Sequence, residues 1–128
     1  LILKDWIYST KNKVWGTYYE LFHDVDSMNV KIKELIINPG KGISFQRHFH
    51  RNEIWFVSKG QCETMYHESD SDKVISVSLG YHESFHVPQK AWHQLINKHS
   101  EPCHIIEIQY GDKTNEDDIE RVSFYENN

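Results

Sequence analysis

Two histidines and a glutamate lie close together in the segment RHFHRNE, which spans residues 47–53. His48 and His50 are two positions apart, and Glu53 follows three positions later. Imidazole nitrogens and a carboxylate oxygen form a mixed donor set that suits first-row divalent metals. This cluster is therefore the first candidate for a metal site in the chain.

A strand, a tight turn and a second strand would bring these side chains together. Side chains at positions i and i+2 of a strand share a face, with Cα atoms about 6–7 Å apart. We therefore expect Gln46, His48 and His50 to point the same way. Residues 51–52 suit the turn, and Glu53 then opens an antiparallel strand from which its carboxylate can return to the same ion.

A fourth ligand is expected from His93, which follows a proline-containing turn in VPQKAWHQLIN (87–97) and begins another strand. Three imidazoles and one carboxylate would hold one divalent ion, for which we place zinc first, with Mn, Fe, Co and Ni as alternatives. The competing interpretation is structural. The chain contains nine histidines, so an HxH pair also arises by chance and can be solvated or hydrogen-bonded.

Short strands separated by turn residues dominate the chain that must position these groups. Their sequences combine β-branched and aromatic residues with period-2 alternation, and most end near glycine or proline. Six runs have this character: VKIKELII (30–37), EIWFVS (53–58), KVISVSL (73–79), SFHVP (84–88), HQLIN (93–97) and CHIIEIQY (103–110). Many short strands that end near glycine or proline indicate an all-β sandwich or barrel.

The segment NEDDIERVSFYE (115–126) is the one stretch with a helical pattern. Asn115 can cap a helix N-terminus, and acidic residues in the first turn complement the helix dipole. We therefore predict a short C-terminal helix.

The composition limits the classes of function. The 128 residues, with 38% hydrophobic and 13% aromatic content, are enough for one domain, which we expect to span 1–128. A net charge of −5 without a basic cluster argues against a nucleic-acid partner. No run approaches the about 20 apolar residues that span a membrane. The two cysteines, Cys62 and Cys103, form no disulfide framework, so we expect a cytoplasmic protein.

The histidine segments resemble the two motifs of the cupin superfamily. GISFQRHFHRNEIWFVSKG (42–60) is similar to the first motif, and GYHESFHVPQKAWHQLIN (80–97) is similar to the second. The resemblance implies a jelly-roll barrel with a metal held by His48, His50, Glu53 and His93. Lys90 departs from the pattern, because the second motif prefers glycine there, and the turn before His93 is expected to differ.

One cupin branch matches more closely, namely the C-terminal domain of type II mannose-6-phosphate isomerase/mannose-1-phosphate guanylyltransferases. An arginine after the second histidine and a tryptophan beyond the glutamate resemble its pattern. VWGTYYEL (14–21) and IIEIQYGDKTNEDDIER (105–121) are similar to its opening and ending. Nothing in these residues resembles the glycine-rich signature of the nucleotidyltransferase domain, so guanylyl transfer is not expected of this chain.

This resemblance implies a sugar-phosphate aldose–ketose isomerase of the mannose-6-phosphate/fructose-6-phosphate type, serving nucleotide-sugar or polysaccharide biosynthesis. Isomerisation needs a general base between C1 and C2, for which we choose Glu107, with His86 and Glu63 as rivals. Arg51, with its forked donors, is the candidate for the phosphate.

Gln46 and Trp55 are expected to contact the sugar, Trp55 because it shares the face of Glu53. Two other functions stay open: a sugar-binding cupin module or subunit without turnover, and a metal-dependent cupin dioxygenase. We also expect a homodimer, since so small a barrel leaves a sheet face to cover.

Overall fold

The computed structural model describes residues 9–24, 26–27, 29–67 and 73–124. Within these residues the chain forms eleven strands joined by turns, and it contains no helix. None of the described segments is therefore a helix with the length and apolar character needed to cross a bilayer. The strands are β1 (Ser9–Lys13), β2 (Gly16–His23), β3 (Val30–Ile37), β4 (Ser44–Arg47), β5 (Arg51–Lys59), β6 (Cys62–His67), β7 (Ile75–Leu79), β8 (Ser84–Val87), β9 (Trp92–Ile96), β10 (Cys103–Gly111) and β11 (Glu120–Phe124).

The strands form two antiparallel sheets. The first sheet has the order β1-β2-β3-β10-β5-β8, and the second has the order β11-β4-β9-β6-β7. The buried side chains of both sheets meet in one apolar cluster that includes Ile37, Trp55, Leu95 and Ile105. This two-sheet arrangement confirms the predicted all-β class and the jelly-roll barrel.

The inner face of β3 combines charged and apolar side chains. Its odd-numbered residues are buried and its even-numbered residues are half-buried. Lys31 and Lys33 therefore point inward together with Leu35 and Ile37. Because alternate side chains of a strand share a face, the apolar pair carries the two lysines into the interior.

Glycine is required where β10 meets the segment that carries the histidines. Gly111 ends β10 with a φ of +154° and lies against the backbone carbonyl of His50. A Cβ atom at this position would overlap that carbonyl oxygen. The absence of a side chain thus lets the turn between β4 and β5 lie directly against β10.

The prediction of a C-terminal helix over residues 115–126 is wrong for the part that the structure describes. A turn follows Asn115, whose carbonyl accepts a hydrogen bond from the Asp118 N–H at 3.2 Å. The chain then enters β11, which pairs with β4. The physical reason is tertiary: pairing with an exposed sheet edge outweighs the weak helical preference of a short acidic segment. Residues 125–126 lie outside the described residues.

Candidate functional site

The structure brings three of the four predicted ligands together. Ligand atoms of His48, Glu53 and His93 all lie within 4.8 Å of one another, and all three residues are buried. His48 Nε2 is 3.2 Å from one carboxylate oxygen of Glu53, and His93 Nε2 is 3.6 Å from the other. Within the described part of the chain this is the one such group of histidine, cysteine and acidic residues.

Strand pairing positions the three residues from different parts of the sequence. His48 directly follows β4, whose Gln46 is the register partner of His93 on β9. Glu53 lies on β5 of the opposite sheet and points toward the same space. Lys90 adopts a φ of +70° where the motif prefers glycine, and its N–H donates to the His48 carbonyl at 2.7 Å. The turn before His93 therefore helps to hold His48 in place.

Hydrogen bonds to carbonyl groups define which nitrogen of each imidazole carries a proton. His48 Nδ1 donates to the Asp118 carbonyl at 2.7 Å, and His93 Nδ1 donates to the Ala91 carbonyl at 3.0 Å. Burial lowers the pKa of His93 to about 4, so its ring is neutral at physiological pH. Its Nε2 is buried and has no hydrogen-bond partner. A lone pair therefore points toward Glu53, as in imidazoles that are oriented for metal binding.

Arg51 provides the permanent positive charge at this cluster. Its Nε donates to Glu53 at 3.0 Å, and its Nη2 lies 3.2 Å from His48 Nε2. Burial opposes ionisation of Glu53, but the adjacent His48 and the Arg51 guanidinium hold the pKa of its carboxyl well below its usual range. The predicted phosphate-binding residue thus contacts two of the candidate metal ligands.

His50 does not join the cluster, contrary to the sequence prediction. Its side chain is 43% exposed, and its Nδ1 lies 4.0 Å from the Asp112 carboxylate on the far side of the turn. The prediction assumed an extended chain through residue 50, whereas β4 ends at Arg47. The following bend breaks the two-residue alternation, so that His48 points inward and His50 points outward.

Glu107, the candidate base, is buried beside the cluster. The Trp55 indole N–H lies 3.1 Å from a carboxylate oxygen of Glu107 and 3.1 Å from one of Glu53. Burial and the nearby Glu53 charge raise the pKa of Glu107 to about 7. A carboxyl group with this pKa can both accept and release a proton near neutral pH.

Trp55 itself is fully buried, contrary to its predicted contact with the sugar. None of its surface is exposed, and it does not line the cavity that lies between the two sheets beside the cluster. Its ring packs against Phe85 at 6.2 Å and against His93 at 5.4 Å. Trp55 shares the inward face of Glu53 as expected, but the second sheet covers that face at this point.

A cavity of about 360 Å³ lies between the sheets next to the cluster. Arg51, Glu53 and Glu107 of the first sheet line it, and Gln46 lines it from β4. The Gln46 amide donates to the Ser44 hydroxyl at 3.1 Å. The predicted base, the phosphate-binding candidate and one sugar-contact candidate therefore share a cavity with a candidate metal ligand.

Lys33 and Glu116 also line the cavity, and neither was predicted from the sequence as part of the site. The Lys33 ammonium lies 4.1 Å from the centre of the Tyr18 ring and 2.6 Å from a Glu116 carboxylate oxygen. The lysine pair in VKIKELII was the available signal, but hydrophobic alternation favours burial of the opposite face, which carries Val30, Ile32 and Ile36.

The rival bases lie away from the cavity. His86 is exposed, and its Nε2 is 2.7 Å from the Tyr110 hydroxyl. Glu63 lies on β6 and is 3.5 Å from His99. Neither residue lines the cavity, which leaves Glu107 as the only one of the three candidates that does.

Comparison with known proteins assigns the family. The sequence model described as Mannose-6-phosphate isomerase C-terminal matches residues 5–124, which is nearly the whole chain. The chain belongs to this family. The match covers both histidine segments and the strands that bring them together, so the family assignment and the observed geometry concern the same residues.

Curated relatives agree with this assignment. A mannose-1-phosphate guanylyltransferase of Sinorhizobium fredii is 32% identical over 117 residues, which are 91% of this chain and 21% of that protein. The alginate biosynthesis protein AlgA of Pseudomonas aeruginosa is 33% identical over 112 residues, which are 84% of this chain and 21% of that protein. The chain thus spans about one fifth of the length of the curated relatives that it matches.

Solved structures with low sequence identity share the fold. The capsular polysaccharide assembling protein CapF of Staphylococcus aureus superposes with a TM-score of 0.76 at 15% identity, over 90% of this chain and 32% of that chain. Oxalate decarboxylase of Bacillus subtilis gives a TM-score of 0.77 at 16% identity, over 94% of this chain and 30% of that chain. At this level of identity the likeness supports the cupin fold alone.

Proposed function

We propose that this domain is a metal-dependent isomerase that interconverts mannose 6-phosphate and fructose 6-phosphate in polysaccharide or nucleotide-sugar biosynthesis. The observation that carries the proposal is the convergence of His48, Glu53 and His93 beside a cavity that also contains Glu107. Membership of the mannose-6-phosphate isomerase C-terminal family supports the choice of substrate.

The proposed metal ligands are Nε2 of His48, Nε2 of His93 and a carboxylate oxygen of Glu53. His48 Nε2 lies 3.2 Å from one Glu53 oxygen and His93 Nε2 lies 3.6 Å from the other, so both imidazoles approach the same carboxylate closely enough to share an ion with it. Zinc is our first choice, and Mn, Fe, Co and Ni suit the same donors. Gln46 lines the adjoining cavity and is a candidate for a further ligand or a sugar contact.

A bound divalent ion would supply Lewis-acid polarisation of the sugar carbonyl. Glu107 would then carry the proton between C1 and C2, since it is a buried carboxyl group that lines the cavity together with Glu53. Trp55 acts as a positioning residue, because its indole N–H lies between the carboxylates of Glu53 and Glu107. Arg51 orients Glu53 and faces the cavity, where it can also contact an anionic substrate.

Turnover with defined metal content tests the proposal. Purified protein is loaded with zinc, and conversion of mannose 6-phosphate is followed by a coupled assay. We expect His93→Gln to lose both the metal and about 10³-fold in rate, because several kcal/mol of transition-state stabilisation disappear. His86→Gln is the matched control, since His86 is exposed and lies outside the cavity.

Glu107→Gln separates the base from the metal site. We expect it to retain one metal ion per chain while the rate falls by about 10²–10⁴-fold. Wild-type protein that binds metal and sugar phosphate without any interconversion would instead favour the sugar-binding module. Uptake of oxygen by the iron-loaded protein would favour the dioxygenase.

The single domain over residues 1–128, the homodimer and the cytoplasmic location remain predictions. Sedimentation of the full chain at micromolar concentration tests the homodimer, since one species of monomer mass would contradict it.

A further inference from the structure

Two buried ammonium groups contact the same carboxylate oxygen of Glu116, a residue that lines the cavity. Lys33 lines the cavity as well. Lys31 and Lys33 are 3% and 4% exposed, although lysine is rarely buried in proteins. Their Nζ atoms lie 2.9 and 2.6 Å from the same Glu116 oxygen, Oε1. The two ammonium groups thus converge on one point beside the cavity, and the Glu116 carboxylate occupies that point.

The anion differs from the cations in how it is held. The lysines belong to β3, in the middle of the first sheet, whereas Glu116 belongs to the connection between β10 and β11. The Glu116 side chain is 48% exposed. The cation pair is therefore part of the sheet framework, and Glu116 reaches it from a turn at the protein surface. Lys31 also lies 3.8 Å from Glu20 on β2, and this second carboxylate stays in place when Glu116 leaves.

The turn can keep its place without Glu116. Two residues later, the Asp118 carboxylate accepts hydrogen bonds from the N–H groups of Phe49 and His50, both at 2.9 Å. The Asp118 carbonyl also accepts the His48 Nδ1 proton. These contacts anchor the segment independently, so the Glu116 side chain can leave the lysines without unfolding the turn.

Strand register gives the backbone separation between Lys31 and Glu53, one of the candidate metal ligands. Lys31 is the register partner of Gln109, and Gln109 is the register partner of Glu53 on the next strand. Adjacent strands are about 4.8 Å apart, so two steps place β3 about 10 Å from β5. This span is comparable to the length of a hexose phosphate lying between the two sites.

We propose that Lys31 and Lys33 form the binding site for the phosphate of a sugar phosphate, and that the Glu116 carboxylate occupies this site until the phosphate displaces it. A phosphate carries more charge than a carboxylate and has three terminal oxygens, so each ammonium can receive its own. The sugar carbonyl end then lies toward Glu53. The identity of the sugar rests on the proposed function, whereas the anion site itself does not.

Calorimetric titration tests the displacement. The metal-free chain of 128 residues is titrated with inorganic phosphate, mannose 6-phosphate and mannose. We expect Glu116→Gln to bind both phosphate compounds about tenfold more tightly, since the competing carboxylate is gone, and to bind mannose as the wild type does. Asp117→Asn is the matched control, because this neighbouring carboxylate is exposed and lies outside the cavity. Unchanged or weaker phosphate binding by Glu116→Gln overturns the proposal.

Removal of the Lys33 charge is a second, independent test of the anion site. We expect Lys33→Gln to weaken the binding of both phosphate compounds by at least about tenfold, with Lys33→Arg restoring much of it. Lys11→Gln is the control, since Lys11 is exposed on β1. Far-ultraviolet circular dichroism checks that each variant folds. If Lys33→Gln does not fold, the Glu116→Gln titration alone supports or overturns the proposal.

The two proposals fail in different ways. Phosphate binding that responds to Glu116 and Lys33 as described, in a protein that never interconverts the two hexose phosphates, refutes the proposed function and leaves the anion site standing. Active isomerase whose KM for mannose 6-phosphate is the same in Glu116→Gln and Lys33→Gln refutes the anion site and leaves the function standing.

Discussion

The interior between the two sheets has an apolar end and a polar end, and the same three strands build both. At the apolar end, Leu35, Ile105 and Val57 are register neighbours across β3, β10 and β5. Two residues further along the same strands, Lys33 and Glu107 take the equivalent inward positions. The antiparallel pairing of these strands continues from one end to the other, with a register shift between His104 and Ile105, and the two ends differ in their inward side chains.

This difference shows how the two ends divide stability and chemistry. Burial of apolar surface stabilises the fold by about 25 cal/mol per Å². Burying charged groups costs free energy, and their attraction to nearby partners offsets this cost. A buried ion pair is therefore weak evidence for stability. The apolar end holds the barrel together, and the polar end holds groups whose arrangement suits binding and proton transfer.

Ile105→Ala should have the largest effect on stability. Ile105 is fully buried in the middle of β10, and its truncation leaves a cavity that we expect to lower the free energy of unfolding by about 2–5 kcal/mol. Ile106→Ala is the control, because the neighbouring residue faces outward and is half-buried. Urea denaturation measures both variants. An equal loss in the two would contradict the assignment of the inner face.

Zinc should stabilise the protein through the polar end. At a free zinc concentration of about 100 times Kd, ligand linkage raises the free energy of unfolding by about 2.7 kcal/mol. We expect no such gain in His93→Gln and the full gain in His86→Gln, as measured by urea denaturation with and without the metal. A gain that survives in His93→Gln would place the zinc elsewhere.

Glu116→Gln should have the smallest effect, and this effect should depend on pH. Burial opposes ionisation of Glu116, but Lys33 and Lys31 lower the pKa of its carboxyl to about 2. Because the folded-state pKa lies below the unfolded value of about 4.3, the stabilisation is fully present above pH 4.3 and is lost as the pH falls toward 2. The half-exposed side chain limits the contribution to about 1 kcal/mol or less.

The measurement is the difference in unfolding free energy between wild type and Glu116→Gln at several pH values. We expect wild type to be the more stable at pH 7 and the two proteins to converge near pH 2. Asp117→Asn should show no comparable convergence. A difference that grows as the pH falls would contradict the ion pair.

The strand content was largely predictable from the sequence. The run 30–37 coincides with β3, and the runs 53–58 and 103–110 lie within β5 and β10. β-Branched and aromatic residues between turn signals carry this information locally. The prediction missed β1, β2 and β6. It also failed at β11, where a segment with helical character pairs with β4 through contacts that its own sequence does not encode.

The site was predictable in part. His48, Glu53 and His93 come together as the motif spacing indicated. His50 does not, because β4 ends before the histidine pair and strand alternation no longer applies. Lys33 and Glu116 were missed because their contact joins residues more than 80 positions apart in the sequence.

By itself, the amino-acid sequence determined the all-β class, the family and most of the candidate ligands, because propensity, turn chemistry and motif spacing act over a few residues. The tertiary structure alone decided which face of β3 is buried. The even-numbered face of VKIKELII carries three apolar residues and one glutamate, whereas the odd-numbered face carries two lysines and two apolar residues, so alternation by itself favoured burial of the face that the structure leaves half-buried. Leu35 and Ile37 pack in the core between the sheets, and strand alternation places Lys31 and Lys33 on the same inner face, where Lys33 lines the cavity.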